Sequence, residues 1–103
     1  MTIFNKKVWS ALKLIPCGRV TTYQEIANYL GKSKAARAVG NACGHNPDAP
    51  KVPCHRAVKS DGGLGGYSGG ATRKIELLRE EGVEVRKGKV AEFSNKKFAF
   101  DKV

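Results

Sequence analysis

Two short helix signals separated by a glycine turn constrain the fold of this chain more than any other feature. Thr22 and Glu25 have the spacing of a capping box, and they predict a helix that Gly31 ends. Ser33 is the predicted N-cap of a second helix, which begins at the next residue and runs to about Cys43. A short helix, a tight turn and a second short helix are typical of a helix-turn-helix. Spacing alone also allows a plain helical hairpin inside a core, so both interpretations stay open.

The second predicted helix carries almost no side-chain bulk. Its small residues are Ala35, Ala36, Ala38, Gly40 and Ala42. A helix of this kind can approach another surface very closely, whereas a core helix more usually carries Leu or Ile. Arg37 is a long cation in this background, and such a side chain suits insertion into a DNA groove or between bases. The composition therefore favours a nucleic-acid contact for this motif.

Two further helices are predicted outside the motif. Residues 3–14 form the first, with Thr2 available as its N-cap and Pro16 ending it. Residues 71–81 form the last, and Gly82 stops it. Apolar side chains recur at helical spacing in both, so each helix has one side for a shared core. The side chains expected to face that core are Phe4, Val8, Ala11, Leu12, Ile15, Ile75, Leu77 and Leu78.

The remaining segments are predicted to be loops and one hairpin. Repeated X-Pro steps make residues 45–54 an extended loop. Residues 60–70 contain six glycines with Tyr67 and Ser68 among them. This composition favours a loop that approaches something closely over a flexible linker. The basic tail can form a small hairpin that turns at residues 87–88, and its last residues are not assigned.

These elements predict one small domain over residues 1–103. The fold is expected to be mainly α with minor β, built around the helix-turn-helix in a winged-helix-like arrangement with a short C-terminal hairpin. A chain of 103 residues can build one core but not two. Residues 83–103 are expected to add a basic tail or the small hairpin.

Charge and composition limit the class of partner. The 19 Lys and Arg residues against 9 Asp and Glu give a formal net charge of +10, which favours a polyanionic partner. A solubilising surface is the alternative interpretation. No apolar run is long enough to span a bilayer, and the N-terminus lacks the order of a secretory signal. Three cysteines at irregular spacing fit a reducing compartment, so a cytoplasmic location is expected, or a nuclear one in a eukaryote.

Cys54, His55 and Arg56 are the residues with the clearest reactive pattern. Cysteine reacts as the thiolate, and a neighbouring cation or a hydrogen-bonded imidazole lowers the cost of forming that anion. A buried structural cysteine beside an unrelated histidine is the alternative for such a pair taken alone. A zinc site that adds Cys43 and His45 is disfavoured, because adjacent ligands strain a tetrahedral site and the chain has no Cys-x-x-Cys.

Several motifs, taken in order, closely resemble the active-site domain of O6-alkylguanine-DNA alkyltransferases. The resemblance covers about residues 3–82. The combination of Pro-Cys-His-Arg with Gly-Tyr-Ser-Gly-Gly at this distance is highly specific. The segments that carry the resemblance are Ile15–Tyr23, Ala36–Gly40, Asn46-Pro47, Pro53–Arg56 and Gly66–Gly70.

The resemblance implies direct reversal of DNA damage, by transfer of the alkyl group of O6-alkylguanine to Cys54, with O4-alkylthymine as an alternative substrate. It implies that His55 takes the thiol proton through a water and that Glu81 orients the imidazole, an arrangement that suits an activated nucleophile. Tyr23 resembles the tyrosine that assists the departure of guanine. Asn46 resembles the asparagine that braces the turn before the active-site strand.

The same resemblance implies a base pocket and a DNA-binding surface. Tyr67 and Ser68 would cover the flipped base and contact its O6, and backbone carbonyls near Cys54 and Ala57 would bind its amino group. The base must leave the stack, and Arg37 would fill the place it vacates. The expected pocket residues are Val52, Ala57, Tyr67, Ser68 and Gly69. The residues expected to contact DNA, in its minor groove, are Thr22, Tyr23, Ser33, Lys34, Ala36, Arg37 and Arg56.

Transfer to a cysteine has no ready reversal, so the resemblance implies one alkyl group per polypeptide, with no metal or organic cofactor. The expected partner is double-stranded DNA, bound by a monomer and with no membrane involved. Many relatives carry an additional N-terminal domain, which a separate partner could supply. Alkyltransferase-like relatives bind the lesion without transfer but hold tryptophan at the acceptor position, and Cys54 argues against that class. Cys17 and Cys43 lie outside the implied chemistry and are interpreted as a loop residue and as helix packing.

Overall fold

A computed structural model of the chain describes residues 3–98 and residue 100. Its architecture is mainly α with minor β, as the sequence predicts. No helix among these residues is long and apolar enough to cross a membrane. Thr2, the predicted N-cap of the first helix, lies outside the described residues. In chain order the elements are α1 (Ile3–Leu12), β1 (Thr21–Thr22), α2 (Tyr23–Tyr29), α3 (Ala36–Gly44), a 3-10 turn (Cys54–Arg56), β2 (Ala57–Val58), α4 (Ala71–Glu80), β3 (Val85–Arg86), β4 (Lys89–Val90) and α5 (Phe93–Lys96).

The helices α2 and α3 form the predicted helix-turn-helix. The backbone N–H of Glu25 donates to the hydroxyl oxygen of Thr22 at 2.9 Å, which confirms Thr22 as the N-cap of α2. The N-cap prediction for Ser33 is wrong. Helix α3 starts only after Ala35, whose N–H donates to the carbonyl of Lys32 at 2.9 Å in a separate turn. The turn between the two helices is therefore longer than the capping pattern predicts.

Helix α1 ends before the predicted position. Beyond its last residue the chain tightens, with the N–H of Leu14 donating to the carbonyl of Ala11 at 3.0 Å and that of Ile15 to Leu12 at 3.1 Å. Such three-residue steps are typical of a 3-10 end. Pro16 disfavours the helical region for the residue before it, which explains why the helix cannot continue.

The helix-turn-helix packs on α1 through the larger of two apolar clusters. Trp9 anchors this contact, because its indole N–H donates to the carbonyl of Ala42 in α3 at 2.9 Å. Cys54 belongs to the same cluster, so the predicted nucleophile packs in the core that also holds α3. Other members of the cluster are Val8, Leu12, Ile15, Ile26 and Val39.

A short parallel sheet ties the predicted nucleophile to the start of α2. Strand β1 pairs with β2 in the register of Thr21 with Ala57 and Thr22 with Val58. The turn that carries Cys54 runs directly into β2, and α2 starts directly after β1. The sequence does not predict this pairing, since strands of this length show no periodicity.

The second apolar cluster joins α4 to the C-terminal hairpin. Helix α4 ends as predicted, with Gly82 in the left-handed region at φ +85. Lys87 and Gly88 also have positive φ, +53 and +77, which is typical of a two-residue hairpin turn and confirms the predicted one. The cluster is formed by Val20, Val58, Leu64, Leu78, Val83 and Val90.

The unassigned end of the chain crosses back to the helix-turn-helix. The N–H of Phe98 donates to the carbonyl of Val20 at 2.7 Å. The ring of Phe100 stacks on Tyr29, with the ring centroids 4.6 Å apart. These contacts close the core over α2.

Candidate active site

A cavity of about 880 Å³ lies between α3 and the segment of residues 59–68, which we term the glycine-rich rim. The volume is within the range of small-molecule sites. Cys54 lines this cavity although it is only 2% exposed, so most of the residue stays in the core. The predicted site residues that line the cavity are Tyr23, Ala36, Arg37, Cys54, Tyr67 and Ser68.

The backbone around Cys54 is held by hydrogen bonds on both sides. The N–H of Cys54 donates to the carbonyl of Val52 at 2.9 Å, and the N–H of Arg56 donates to that of Pro53 at 3.0 Å. Strand β2 follows at once and pairs with β1. The position of the thiol therefore depends on the small sheet and not on a free loop.

His55 is enclosed behind the cavity wall and bound to Glu81. It is 1% exposed, and its Nε2 lies 3.0 Å from a carboxylate oxygen of Glu81. Burial lowers the pKa of His55 and outweighs the opposing effect of Glu81, so the imidazole is neutral at pH 7. Because a carboxylate only accepts, Nε2 carries the hydrogen and Nδ1 keeps the lone pair. Nδ1 is buried and has no hydrogen-bond partner among the described residues, so His55 presents an enclosed basic nitrogen.

Glu81 is shared between His55 and Arg56. The guanidinium of Arg56 donates to both carboxylate oxygens of Glu81, at 2.9 and 2.7 Å, and to the carbonyl of Ile15 at 2.7 Å. Burial raises the pKa of Glu81, but the hydrogen bonds from Arg56 and His55 outweigh it and hold that pKa below its usual value. The sequence places Arg56 on the DNA surface, whereas the structure commits its guanidinium to internal partners. Arg56 therefore anchors the carboxylate that orients His55.

Lys74 is a residue of this site that was not predicted from the sequence. It is 0% exposed, and its ammonium donates to the carbonyls of Ala57 at 2.8 Å and Gly66 at 3.0 Å. The ammonium also lies 5.9 Å from the centre of the Tyr23 ring, within the range of a cation–π contact. Burial lowers the pKa of Lys74 to about 8. A signal was present, since position 74 shares the apolar side of α4 with Leu78, four residues later.

Tyr23 lines the cavity from the first turn of α2. Burial, and then the nearby thiols of Cys43 and Cys54, raise the pKa of Tyr23, so its hydroxyl keeps the proton and can donate a hydrogen bond. Gly65 makes room for that hydroxyl. A Cβ at Gly65 would lie 2.7 Å from the Tyr23 oxygen, and the φ of +73 disfavours other residues in addition.

Tyr67 stands between the cavity and the enclosed histidine. Its ring meets that of His55 edge to face, with the centroids 6.4 Å apart. Gly69 does not line the cavity, but a Cβ there would lie 2.9 Å from the Tyr67 ring. Gly69 therefore sets the place of Tyr67 rather than touching a ligand. Ser68 is exposed at the cavity mouth.

Cys43 has two roles in the structure. It belongs to the larger apolar cluster, which agrees with the interpretation as helix packing, and it also lines the cavity beside Cys54. Burial raises the pKa of the Cys43 thiol to about 12, so it stays protonated near neutral pH.

Three residues predicted to face the base or the DNA lie behind the cavity wall instead. Val52 and Ala57 are 6% and 0% exposed, belong to the apolar core and do not line the cavity. The carbonyl of Ala57 accepts the hydrogen bond from Lys74. Thr22 is 2% exposed, and its hydroxyl oxygen is used to cap α2.

Asn46 braces the loop that precedes the nucleophile. Its amide nitrogen donates to the carbonyl of Val52 at 2.7 Å, and its amide oxygen accepts from the N–H of Asp48 at 3.0 Å. These bonds hold the loop between α3 and the turn that carries Cys54.

The outer surface of α3 and its preceding turn is open. Arg37 and Lys34 are exposed, and neither forms an ion pair within residues 3–98. Ser33 is exposed as well. Gly40 adds no side chain to the cavity wall, and a Cβ there would meet nothing within 4 Å. This wall is thus slim, cationic and free to meet another molecule.

Among the described residues, no group of three or more His, Cys, Asp and Glu side chains is placed to hold a metal ion. The alternative zinc site needs both histidines close to Cys54. His45 is instead exposed at the end of α3, with Nδ1 2.8 Å from the carbonyl of Asn41, and His55 is bound to Glu81.

Known proteins match most of the chain. A family model described as 6-O-methylguanine DNA methyltransferase, DNA binding domain, matches residues 3–83. A methylated-DNA–protein-cysteine methyltransferase of Salmonella typhimurium is 53% identical over 81 residues, which are 79% of this chain and 47% of that protein. The chain spans less than half the length of curated relatives that resemble it this closely.

Two crystal structures extend the comparison to three dimensions. Mycobacterium tuberculosis OGT in complex with DNA superposes with a TM-score of 0.78 at 51% identity, over 80% of this chain and 50% of that one. S. pombe Atl1 in complex with damaged DNA containing O6-carboxymethylguanine superposes with a TM-score of 0.83 at 34% identity. The Atl1 match covers 95% of this chain and 98% of that one.

Proposed function

This chain belongs to the family of the 6-O-methylguanine DNA methyltransferase DNA-binding domain, and we propose that it also carries the active site and transfers the alkyl group of O6-alkylguanine to Cys54. The observation that carries this proposal is the single cavity that Cys54 shares with the α3 wall bearing Arg37. The relatives named as cysteine methyltransferases support the same activity. The proposal describes a monomer that acts on duplex DNA in the cytoplasm, or in the nucleus of a eukaryote.

The first half of the transfer is formation of the thiolate. The neutral imidazole of His55 takes the thiol proton of Cys54 on Nδ1, through one water, while Nε2 stays bonded to Glu81 at 3.0 Å. The ionised carboxylate of Glu81 then stabilises the imidazolium that results. Arg56 holds that carboxylate by two hydrogen bonds and so keeps the imidazole in position.

The second half is displacement at the alkyl carbon. The sulfur–carbon bond forms as the bond between that carbon and O6 breaks, and the guanine gains a proton in place of the alkyl group. The thiol proton taken up by His55 balances that proton, so the net change is one proton moved from Cys54 to guanine. Guanine is a poor leaving group as an anion, so a donor must assist it. Tyr23 is suited to this role, because its raised pKa keeps the phenol protonated in the cavity wall. The product is a thioether on Cys54, which consumes one protein for each lesion.

Access to the lesion requires a flipped base. The alkyl carbon lies inside the duplex, and extrusion of a nucleotide costs a few kcal/mol of unstacking. The small residues of α3 allow close approach to the minor groove, and Arg37 is exposed where it can fill the vacated place. Tyr67 and Ser68 then cover the base in the cavity that Cys54 lines.

Intact-protein mass spectrometry tests the proposal directly. The protein is incubated with a duplex that contains one O6-methylguanine. We expect the mass to rise by one methyl-for-hydrogen replacement, mapped to Cys54, and the duplex to regain guanine. The Cys54→Ser variant should bind the duplex without gaining mass. Cys43→Ser is the matched control, because it removes the other thiol of the cavity and should leave the transfer intact.

A second candidate function is binding of O6-alkylguanine damage without transfer. The near-complete two-way coverage by Atl1, a protein solved with damaged DNA, favours it. The same incubation separates the two functions. A sensor of damage would retain an unchanged lesion in a tight complex, and the mass of the protein would not rise.

A further inference from the structure

The C-terminal hairpin follows the region matched by the family model and is mounted on the cavity. The N–H of Leu64 donates to the carbonyl of Gly88, and the N–H of Val90 donates to that of Gly62, each at 2.9 Å. These bonds join the turn and strand β4 to the glycine-rich rim, which lines the cavity across from α3. A movement of the hairpin would therefore move the rim.

The hairpin presents cations that no internal partner uses. Arg86, Lys87 and Lys89 are exposed on it, and Lys59 is exposed on the rim beside it. None of these four side chains forms an ion pair in the part of the chain that the structure describes. Exposed cations without carboxylate partners are the side chains that most readily bind phosphate.

The carboxylate of Asp61 also lies in this area. It accepts a hydrogen bond from the N–H of Gly63 at 2.8 Å. That bond first, and then the charges of Lys89 and Lys59, hold the pKa of Asp61 below its usual value. Gly63 links the three residues, because it forms a β-bridge with Lys89 and a Cβ on it would lie 2.9 Å from Asp61 and 3.4 Å from Lys59 side-chain atoms. Arg86, Lys87, Lys89 and Lys59 together outweigh the single negative charge of Asp61, so this group of side chains stays positive.

Resting on the proposed function, we propose that this basic hairpin is a second DNA contact. Arg86, Lys87 and Lys89, together with Lys59, bind backbone phosphates on the side of the cavity across from Arg37. The duplex is then held on both sides of the flipped nucleotide, and hairpin contact positions the rim that covers the base. The match to Atl1, a protein solved with damaged DNA, covers 95% of this chain, so the shared fold extends beyond residues 3–83 toward the hairpin.

The test neutralises the hairpin and measures salt dependence. The variant combines Arg86→Gln, Lys87→Asn and Lys89→Gln, with Asn chosen because it tolerates the positive φ at position 87. Fluorescence anisotropy gives the binding constant for an undamaged duplex over a range of salt concentrations. Each lost phosphate contact reduces the slope of log K against log salt by about 0.9, so we expect a reduction of about 2 to 3.

The matched control removes the same charge elsewhere. It combines Lys6→Gln, Lys7→Gln and Lys13→Gln, which are exposed on or just after α1 and do not line the cavity. We expect this control to change the slope by less than about 1, from general charge alone. Reaction with free O6-benzylguanine should be unchanged in both variants, which shows that each remains folded and reactive.

A charge-preserving variant closes the test. Arg86→Lys with Lys89→Arg should keep the wild-type slope, and a fall in slope with the charges retained would overturn the inference. Equal changes in the hairpin and α1 variants would overturn it as well. Those outcomes leave transfer to Cys54 in wild type untouched, whereas a wild type that binds no duplex and transfers no alkyl group would remove both proposals.

Discussion

The two sides of the candidate site are built in opposite ways. The α3 wall of the cavity has small side chains and the exposed cation of Arg37, which forms no ion pair with the described residues. Behind Cys54, outside the cavity itself, lies a polar group that we term the enclosed wall, in which His55 and Arg56 both hydrogen-bond to Glu81. One wall is left open for a partner, and the other is closed on itself.

This difference teaches where function and stability can be separated. On the open wall a side chain contributes little to folding, because it has few partners in the free protein. In the enclosed wall each polar group satisfies another, so removing one leaves its partner buried and unpaired. Substitutions in the enclosed wall should therefore lower stability, whereas substitutions on the open wall should affect function with little change in stability.

Glu81→Gln should have the largest effect, because Glu81 serves both His55 and Arg56. We expect the free energy of unfolding to fall by about 3 kcal/mol and the transfer rate to fall at least about 100-fold. The loss of rate should be equal for duplex and for free O6-benzylguanine. Urea unfolding and single-turnover kinetics provide the measurements. Glu76→Gln is the matched control on α4, since its pair with Arg73 is exposed and long at 3.7 Å, and it should change stability by less than about 1 kcal/mol.

Lys74→Met tests the enclosed wall without touching the nucleophile. The length of the side chain is kept, but the carbonyls of Ala57 and Gly66 lose their donor. Each unsatisfied carbonyl costs about 1–3 kcal/mol, partly offset by removal of a buried charge, so we expect a net loss of about 2 kcal/mol. Arg73→Met, an exposed change one residue earlier, should be nearly neutral in urea unfolding. Equal stability of the two variants would contradict a structural role for Lys74.

Acid should weaken the enclosed wall before it affects the open one. The pKa of folded His55 lies below 6.5, so as pH falls through 6.5 the unfolded chain takes up a proton that the folded chain does not. The contribution of neutral His55 to the free energy of unfolding is fully present above pH 6.5. It is lost as the pH falls toward the pKa of His55 in the folded protein. The pKa of Glu81 is held below 4.5 in the folded protein, so protonation of this carboxylate extends the loss of stability to lower pH. Urea unfolding of wild type and His55→Gln should show a difference that shrinks as pH falls from about 6.5, and a growing difference would refute it.

Arg37→Ala should show the opposite pattern on the open wall. Because only a duplex needs the vacated place filled, we expect transfer from duplex DNA to slow by about 10- to 100-fold, the size of a lost interaction of 1.4 to 3 kcal/mol. Reaction with free O6-benzylguanine and the free energy of unfolding should stay within error of wild type. Lys7→Ala on α1 is the control of equal charge change. Equal losses on both substrates would remove Arg37 from base flipping.

Gly40 gives the smallest and sharpest test. A Cβ there meets nothing within 4 Å, so Gly40→Ala should stabilise the protein by about 0.5–1 kcal/mol. Gly40→Leu should also fold but should weaken duplex binding, because its bulk projects from the wall that approaches DNA in the proposed function. Gly65→Ala is the contrast, since its Cβ would lie 2.7 Å from the Tyr23 hydroxyl and should destabilise the fold. Duplex binding and urea unfolding separate the three.

Several parts of this arrangement could be predicted because they depend on neighbours along the chain. The capping pattern of Thr22, the turn at residues 87–88 and the end of α4 at Gly82 follow from backbone preferences within a few residues. The failure at Ser33 has the same scale, since a competing turn that closes at Ala35 decided where α3 begins.

The hydrogen bonds of the enclosed wall could not be predicted in this way. The sequence alone suggests an imidazole beside a thiol at positions 54 and 55, and only the resemblance suggested Glu81. The distance of 3.0 Å between His55 and Glu81 joins residues 26 apart in the chain. Arg56 was predicted to lie on the DNA surface, whereas in the structure its guanidinium donates to Ile15 and Glu81.

By itself, then, the sequence determined the helices α1 to α4 to within a few residues, the glycine stops of α2 and α4, the Cys-His pair at positions 54 and 55 and the slim character of α3. The tertiary structure alone decided which polar side chains are enclosed and which stay open. Burial of Lys74 and the wall shared by Cys54 and Arg37 arise when α3, α4 and the small sheet meet. The physical reason is range, since hydrogen-bond patterns along the backbone are set within a turn, whereas desolvation depends on every element that closes around a group.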